Sequence, residues 1–422
     1  MRGSKSEIVS TSGHNPGETE TRARLVEAVF QLLLRHSQAH ISVRMLANAA
    51  QTSVSAIDYH FGGLEQLYYS VQRAAIERAR RWTKARLDDL AELGIAGCDD
   101  ETMGSLLAAV IDEWCNDRRE LALAWREAQC RPAMTAEYEA INREWVELWQ
   151  AFWTRTCELC GRRGDAALIG LFFDGESFLH LLHWRRPLDR VVLGEGSRIW
   201  CHWLSGADLP EAQMRVACHD RVEAEHQASA ENPAVPGSLE LAAADLLTEG
   251  GVAAVTFRAV AARAGATLGT ATYHFGSKPG LLSAAFRTLY YTNVRRGASR
   301  RTEPAAPQMS DMRDQLATYL AGRREPVLRA MDEVVLQICR SEERDPLCGP
   351  MRYLRGTTSR SALQKLLGRP NAAPLGLAAS FSSFAIGLDH SCIGMQTDEA
   401  VRHVGAMLDD FCRRNSREWA AA

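Results

Sequence analysis

The sequence predicts an all-α chain that contains one helical unit twice, and three observations lead there. The stretch Ser42–Leu67 returns 214 residues later as Thr256–Leu281 without a gap, sharing Arg44/Arg258, Ala47/Ala261, Ala50/Ala264, Tyr-His-Phe-Gly and Leu67/Leu281. The correspondence extends upstream through Leu25/Leu239, Ala28/Ala242, Leu32/Leu246, Leu33/Leu247 and Ala39/Ala253, so a whole small domain recurs. At 422 residues the chain is too long for one compact core, and a period of about two hundred residues is that of duplicated domains rather than of a solenoid.

Each unit reads as three helices. Residues 22–36 place Leu25, Ala28, Val29, Leu32 and Leu33 on one helical stripe, and Leu239, Ala242, Ala243, Leu246 and Leu247 repeat it. Ser42 and Thr256 precede Ala-rich runs and are N-cap candidates, because a hydroxyl there accepts an otherwise orphaned N–H of the first turn. A polar break follows, Gln51-Thr52 or Gly265-Ala266, then a second cap candidate, Ser53 or Thr267, and a short segment ending in Tyr-His-Phe-Gly. The pattern is helix, tight turn, helix.

These residues resemble the DNA-binding domain of TetR-type transcriptional regulators. The second copy is the fuller match, with Gly265 in the turn, Gly269-Thr270 in the recognition helix and Ser277-Lys278 opening the next helix. The first copy departs at Gln51, Asp58 and Gly63-Leu64. The resemblance implies a C-terminal helical domain after each head, which binds a small-molecule effector and pairs through its last two helices. Asp165–His183 and Leu377–Ile393, with Gly175 matching Gly387, resemble the first of those pairing helices, and the bundle is expected near residues 165–204 and 374–413.

The expected layout is a tail (1–19), a first helix-turn-helix domain (20–71), a first regulatory domain (72–206), a linker (207–235), a second helix-turn-helix domain (236–286) and a second regulatory domain (287–415). The linker loses apolar periodicity and ends in Asn-Pro and Val-Pro breakers. Fully extended it reaches roughly 95 Å, enough for one chain to form a monomeric pseudo-dimer.

A helix-turn-helix presents the N-terminal part of its second helix to the major groove. The DNA-facing positions expected in the first copy are Ser42, Arg44, Ser53, Ser55, Ala56, Asp58, Tyr59 and His60. In the second they are Thr256, Arg258, Thr267, Gly269, Thr270, Thr272, Tyr273, His274 and Lys278. Arg44 and Arg258 suit either a guanine contact or a phosphate clamp. Asp58 either reads cytosine N4 or weakens the grip of the first head on phosphates. Phe61 and Phe275 are expected to pack on the first helix. The window 42–67 carries a net charge of −1 and 256–281 a net of +3, so the second head is expected to supply more of the phosphate attraction. Arg78–Arg86 is either a second basic contact or a solvated face.

Nine of ten tryptophans lie in the first half, and Trp145, Trp149 and Trp153 share a helix face. This aromatic stripe is either core or effector pocket, with Trp125, Trp145, Trp149 and Phe173 as the pocket candidates. In the second half the Asp345-Pro346 break stands where the family's pocket mouth is expected.

Net charge is −3, which argues against indiscriminate nucleic-acid binding and leaves room for a local docking surface. The eleven cysteines are scattered, and Cys157-x-x-Cys160 lacks the second pair that zinc requires. His180 and His183 read as interface histidines rather than ligands, so no metal and no cofactor is expected. No apolar run spans a bilayer, and the first residues lack a secretory core, giving a cytoplasmic, non-membrane expectation. No nucleophile motif or phosphate loop points to an enzyme. The function expected is a DNA-binding, ligand-responsive transcriptional repressor that reads double-stranded operator DNA with two unlike heads. The alternative is a ligand-binding or protein-interaction module whose first head has lost DNA binding.

Overall fold

The computed structural model describes residues 16–95, 97–131, 135–230, 237–299, 309–321, 326–341, 345–368 and 373–414, and no strand occurs among them. The first half runs α1 (Pro16–Leu33), α2 (Val43–Ala49), α3 (Ser55–Phe61), α4 (Leu64–Glu92), α5 (Asp100–Asn116), α6 (Arg119–Gln129), α7 (Ala136–Leu159), α8 (Ala166–His180) and α9 (Arg186–Ser205). α10 (Gln213–Ala230) occupies most of the expected linker. The second half runs α11 (Ser238–Ala254), α12 (Phe257–Ala264), α13 (Leu268–Phe275), α14 (Lys278–Ser299), α15 (Met309–Ala321), α16 (Pro326–Cys339), α17 (Cys348–Tyr353), α18 (Thr357–Leu366), α19 (Leu375–Ser391) and α20 (Thr397–Arg413).

Helices at corresponding positions of the two halves make corresponding contacts. α1 lies on α2, α4 and α6, and α11 lies on α12, α14 and α16. α5 packs on α9 as α15 packs on α20, and α7 on α8 as α18 on α19. The apolar stripes account for this: Leu25, Ala28, Val29 and Leu33 are buried in α1, and Leu239, Ala242, Ala243 and Leu247 in α11. α1 begins at Pro16, inside the expected tail. Proline at the first helical position favours an early start, because its missing N–H would have no intrahelical partner there. Residues 1–15 of that tail lie outside the described residues.

The capping expectations divide. Ser42 accepts from the Met45 N–H at 3.2 Å, Thr256 from Ala259 at 3.1 Å, and Thr267 from Thr270 at 3.1 Å. Ser53 does not cap. Its hydroxyl pairs with that of Ser55 at 2.9 Å, and Val54 holds the cap position without a side-chain bond, so α3 is one residue shorter than α13. The turns differ too: Gly265 takes φ 66° freely, whereas Gln51 is held at φ 51°, a left-handed conformation that costs a side-chain-bearing residue roughly 1–2 kcal/mol.

The two halves meet most extensively where α8 crosses α19. Gly175 and Gly387 make the crossing possible. A Cβ at Gly175 would sit 1.8 Å from the Ser383 carbonyl oxygen, and one at Gly387 would sit 1.9 Å from that of Leu171. Beside the crossing, Trp200 stacks on Phe172 (5.1 Å) and Phe411 (5.6 Å) and leans on Phe384 (5.1 Å), which joins α8, α9, α19 and α20 in one aromatic core. Trp203 adds an indole N–H bond to the Phe411 carbonyl at 3.3 Å.

Candidate nucleic-acid interface

Both helix-turn-helix segments expose the expected faces. In the first, Ser42, Arg44, Ser53, Ser55, Asp58 and Tyr59 are exposed, while Ala56 and His60 are half-buried. In the second, Thr256, Arg258, Thr267, Gly269, Thr270, Thr272, Tyr273 and His274 are exposed. Tyr59 is 73% and Tyr273 92% accessible, so both rings are open to a partner. Ile57 and Ala271, between the exposed positions, are buried and hold each recognition helix to its domain. Arg44, Asp58 and Arg258 have no ion-pair partner among the described residues, so their charges are available.

The aromatic ends are pinned from behind. Phe61 lies under the Arg22 guanidinium, 4.4 Å from the ring centroid, and Arg22 also donates to the His60 carbonyl. His274 pairs with Glu240 on α11 at 2.6 Å. Thr272 donates its hydroxyl to the Leu268 carbonyl at 2.9 Å, and Thr270 pairs with Thr267 at 2.8 Å. To donate to a base, Thr272 has to give up that internal bond, whereas both hydroxyl oxygens keep lone pairs that accept from a base amino group.

Lys278 stands apart from the other expected contacts. It is half-buried, and burial lowers its pKa. It lies near His40 of the first half, whose pKa falls chiefly through burial and further through the lysine's charge.

Local charge is smaller than a count along the chain implies. Arg263 is held by Glu249 at 2.6 Å, and Glu65 by Arg131 at 3.0 Å, partners outside the windows counted. With those pairs set aside, Arg44 balances Asp58 in the first head, while Arg258 and Lys278 remain in the second. The sign of the difference survives. Four of the five basic residues in the stretch on α4 are paired, Arg78 with Glu27 (2.8 Å), Arg80 with Glu77 (2.6 Å), Lys84 with Asp88 (2.6 Å) and Arg86 with Glu113 (2.7 Å), and Arg81 is exposed with no ion pair among the described residues.

The aromatic stripe packs ring against ring. Trp125 lies 5.9 Å from Trp145 and 6.2 Å from Phe173, Trp149 lies 4.4 Å from Phe173, and all four are buried. A cavity of about 660 Å³ lies elsewhere, where Ile199, Leu209, Val216, Pro374 and Leu375 line the space between α9, the start of α10 and α19. Cys157 and Cys160 are buried thiols pushed up to about 12, mainly by desolvation, and are poor nucleophiles at neutral pH. His180 meets Asp112 at 3.0 Å and Arg352 at 3.2 Å, whereas Nε2 of His183 is buried without a hydrogen-bond partner among the described residues.

Contacts between the halves near the heads were not legible in the sequence. Arg340 at the end of α16 donates to the Leu33 carbonyl (2.9 Å) at the C-terminus of α1, and to Glu127 on α6 (2.5 Å). Arg119 on α6 donates to the Cys339 carbonyl at 2.7 Å. Each arginine supplies a donor to a helix end whose carbonyls lack intrahelical partners.

Residues 241–285 match the family model of bacterial regulatory proteins, tetR family. The matched span covers most of α11, all of α12 and α13, and the start of α14, which is the second head described above. It supports a TetR-type, DNA-binding transcriptional regulator at the level of the family. No curated protein matches the chain. Among the described residues no helix is long and apolar enough to cross a membrane.

Proposed function

We propose that the chain is a TetR-type repressor that carries two DNA-binding heads and acts as a single-chain pseudo-dimer. The observation that carries this reading is the close crossing of α8 and α19 at Gly175 and Gly387, which sets the two halves against each other through matched positions. A homodimer of one-headed subunits is constrained to a symmetric site, because a two-fold interface duplicates one surface. Two different heads on one chain are free of that constraint. Ser55, Ala56 and Asp58 offer the groove other chemistry than Gly269, Thr270 and Thr272, so the operator is asymmetric. An effector bound in a regulatory domain acts by favouring one of two head spacings, as any allosteric ligand must favour one state. The role has no catalytic step.

The test is a gel-shift competition with genomic fragments from around the chain's own gene. A retarded complex that survives excess nonspecific duplex is expected. On the fragment so found, Arg258→Ala is expected to weaken binding by about 1–3 kcal/mol, and Arg44→Ala by less, since only the first head offsets its arginine with an exposed acid. No specific complex at low salt would refute DNA binding. Equal losses from the two variants would refute the inequality of the heads.

A further inference from the structure

Four arginines are buried among the described residues, and three are explained. Arg126 pairs with Asp174 (2.6 Å), Arg340 with Glu127 (2.5 Å) and Arg352 with Asp189 (3.5 Å), the last also donating to the Leu179 and Leu182 carbonyls at 2.9 Å. Arg215 on α10 is the exception. It is 7% exposed, its side chain has no hydrogen-bond acceptor, and no carboxylate lies within 4.0 Å. Arg355, in the turn between α17 and α18, stands near it. Arg355 donates only to Ser382, at 2.8 Å to the hydroxyl, and its Nε is buried without a partner. Glu176 on α8 is the carboxylate with most influence on both guanidiniums, yet it pairs with neither and instead accepts from Ser383 at 2.5 Å.

Arg215 is buried and Arg355 half-buried, and two neighbouring guanidiniums without a salt bridge are costly, because each gives up hydration without a counter-charge and repels the other. Burial lowers the pKa of both, Arg355 to about 10. Guanidinium remains charged at neutral pH in such a site, so an anion is the ligand that offsets the charge. Its fork of N–H donors matches the two oxygens of a carboxylate or phosphate.

We propose that Arg215 and Arg355 form an oxyanion-binding site, and that the effector is a small molecule bearing a carboxylate or phosphate group. This rests on the ligand-responsive reading above and specifies its ligand class. The site touches the parts that would have to move. Arg215 belongs to the helix that joins the halves, Glu176 adjoins the Gly175 crossing, and Tyr290, which lies beside Arg355, belongs to α14, the helix leading from the second head. An anion drawn between α10 and the α17–α18 turn acts on α14 directly.

The test is thermal unfolding of the full chain without DNA, at constant ionic strength, with inorganic phosphate in one arm and benzoate in the other. At least one probe is expected to raise the midpoint, by about 3–5 °C at a hundredfold excess over its dissociation constant. Whichever probe acts identifies the head group. Arg215→Met should abolish the shift without lowering the midpoint of the anion-free chain, because it removes a guanidinium with no hydrogen-bond partner, and Arg355→Met should abolish the shift while also losing the bond to Ser382. Arg215→Lys, which keeps the charge, should retain part of the shift. No shift with either probe, or a shift undiminished in both methionine variants, would overturn the site. Because no DNA is present, the two-headed reading can fail in the gel-shift while this site stands, and the reverse.

Discussion

Arg126→Ala is expected to destabilise the chain by about 3–5 kcal/mol, the cost of leaving a buried carboxylate without its partner. Arg126 is 1% exposed and donates to Asp174 Oδ1 (2.6 Å), to the Asp174 carbonyl (2.6 Å), to Ser177 (2.8 Å) and to Gln129 (2.6 Å), with its guanidinium 3.7 Å from the centroid of the Trp125 ring. Asp174 in turn meets His390 of the second half at 2.6 Å, so the network ties α6 and α8 to α19. Removal of the arginine leaves the largely buried Asp174 carboxylate with His390 and a 3.3 Å bond from the Gln129 amide, and without its strongest counter-charge. Denaturant unfolding measures the loss, and Arg126→Ala combined with Asp174→Asn should cost less than the sum of the two single changes. A loss below about 1 kcal/mol would mean the pair contributes nothing net.

The same network has a pH signature. Burial raises the Asp174 pKa, but the charges of Arg126 and His390 outweigh it and hold the carboxyl well below its usual range. Its contribution is present above an unfolded value of about 4 and is lost as pH falls through the folded one. Burial lowers the His390 pKa, and Asp174 and Asp332 more than reverse that. Its contribution is full below an unfolded value of about 6.5 and is lost as pH rises through the raised folded value. The network therefore stabilises most between about pH 4 and 6.5.

Gly175→Ala and Gly387→Ala are each expected to cost about 3 kcal/mol or more. Both added methyl groups would meet backbone carbonyls of the opposing helix at under 2 Å, and backbone cannot rotate aside as a side chain can. The helices would have to separate, loosening the contact of Trp200 with Phe384 and Phe411. The two substitutions act on one crossing, so the double variant should lose less than the sum. Thermal unfolding of the two singles and the double checks this, and a midpoint within 2 °C of the parent would contradict the packing.

What was legible in the sequence was local or repeated. The cap residues Ser42, Thr256 and Thr267, the αL turn at Gly265, and the small residues Gly175 and Gly387 each act through a backbone feature that leaves a mark within a few positions. Ser53 failed as a cap because Ser55, two residues on, competes for its hydroxyl. The sign of the charge difference is legible in the sequence and its size is not, because partners are distant: Arg131 neutralises Glu65 from 66 residues away. The tryptophan stripe has the same spacing whether it lines a pocket or fills a core, and the burial of its rings against one another could not be read from that spacing. Arg215 gave no signal, since a lone arginine on a polar helix looks solvated until its surroundings are known.

The central claim is that both heads read DNA, and selection of bound sequences from a random duplex pool tests it most directly. The account predicts two unlike half-sites at a fixed spacing, with Asp58→Thr altering the preference in one half-site by about 1–3 kcal/mol per discriminated base pair and leaving the other unchanged. A single half-site, or a symmetric consensus indifferent to Asp58→Thr, would contradict it.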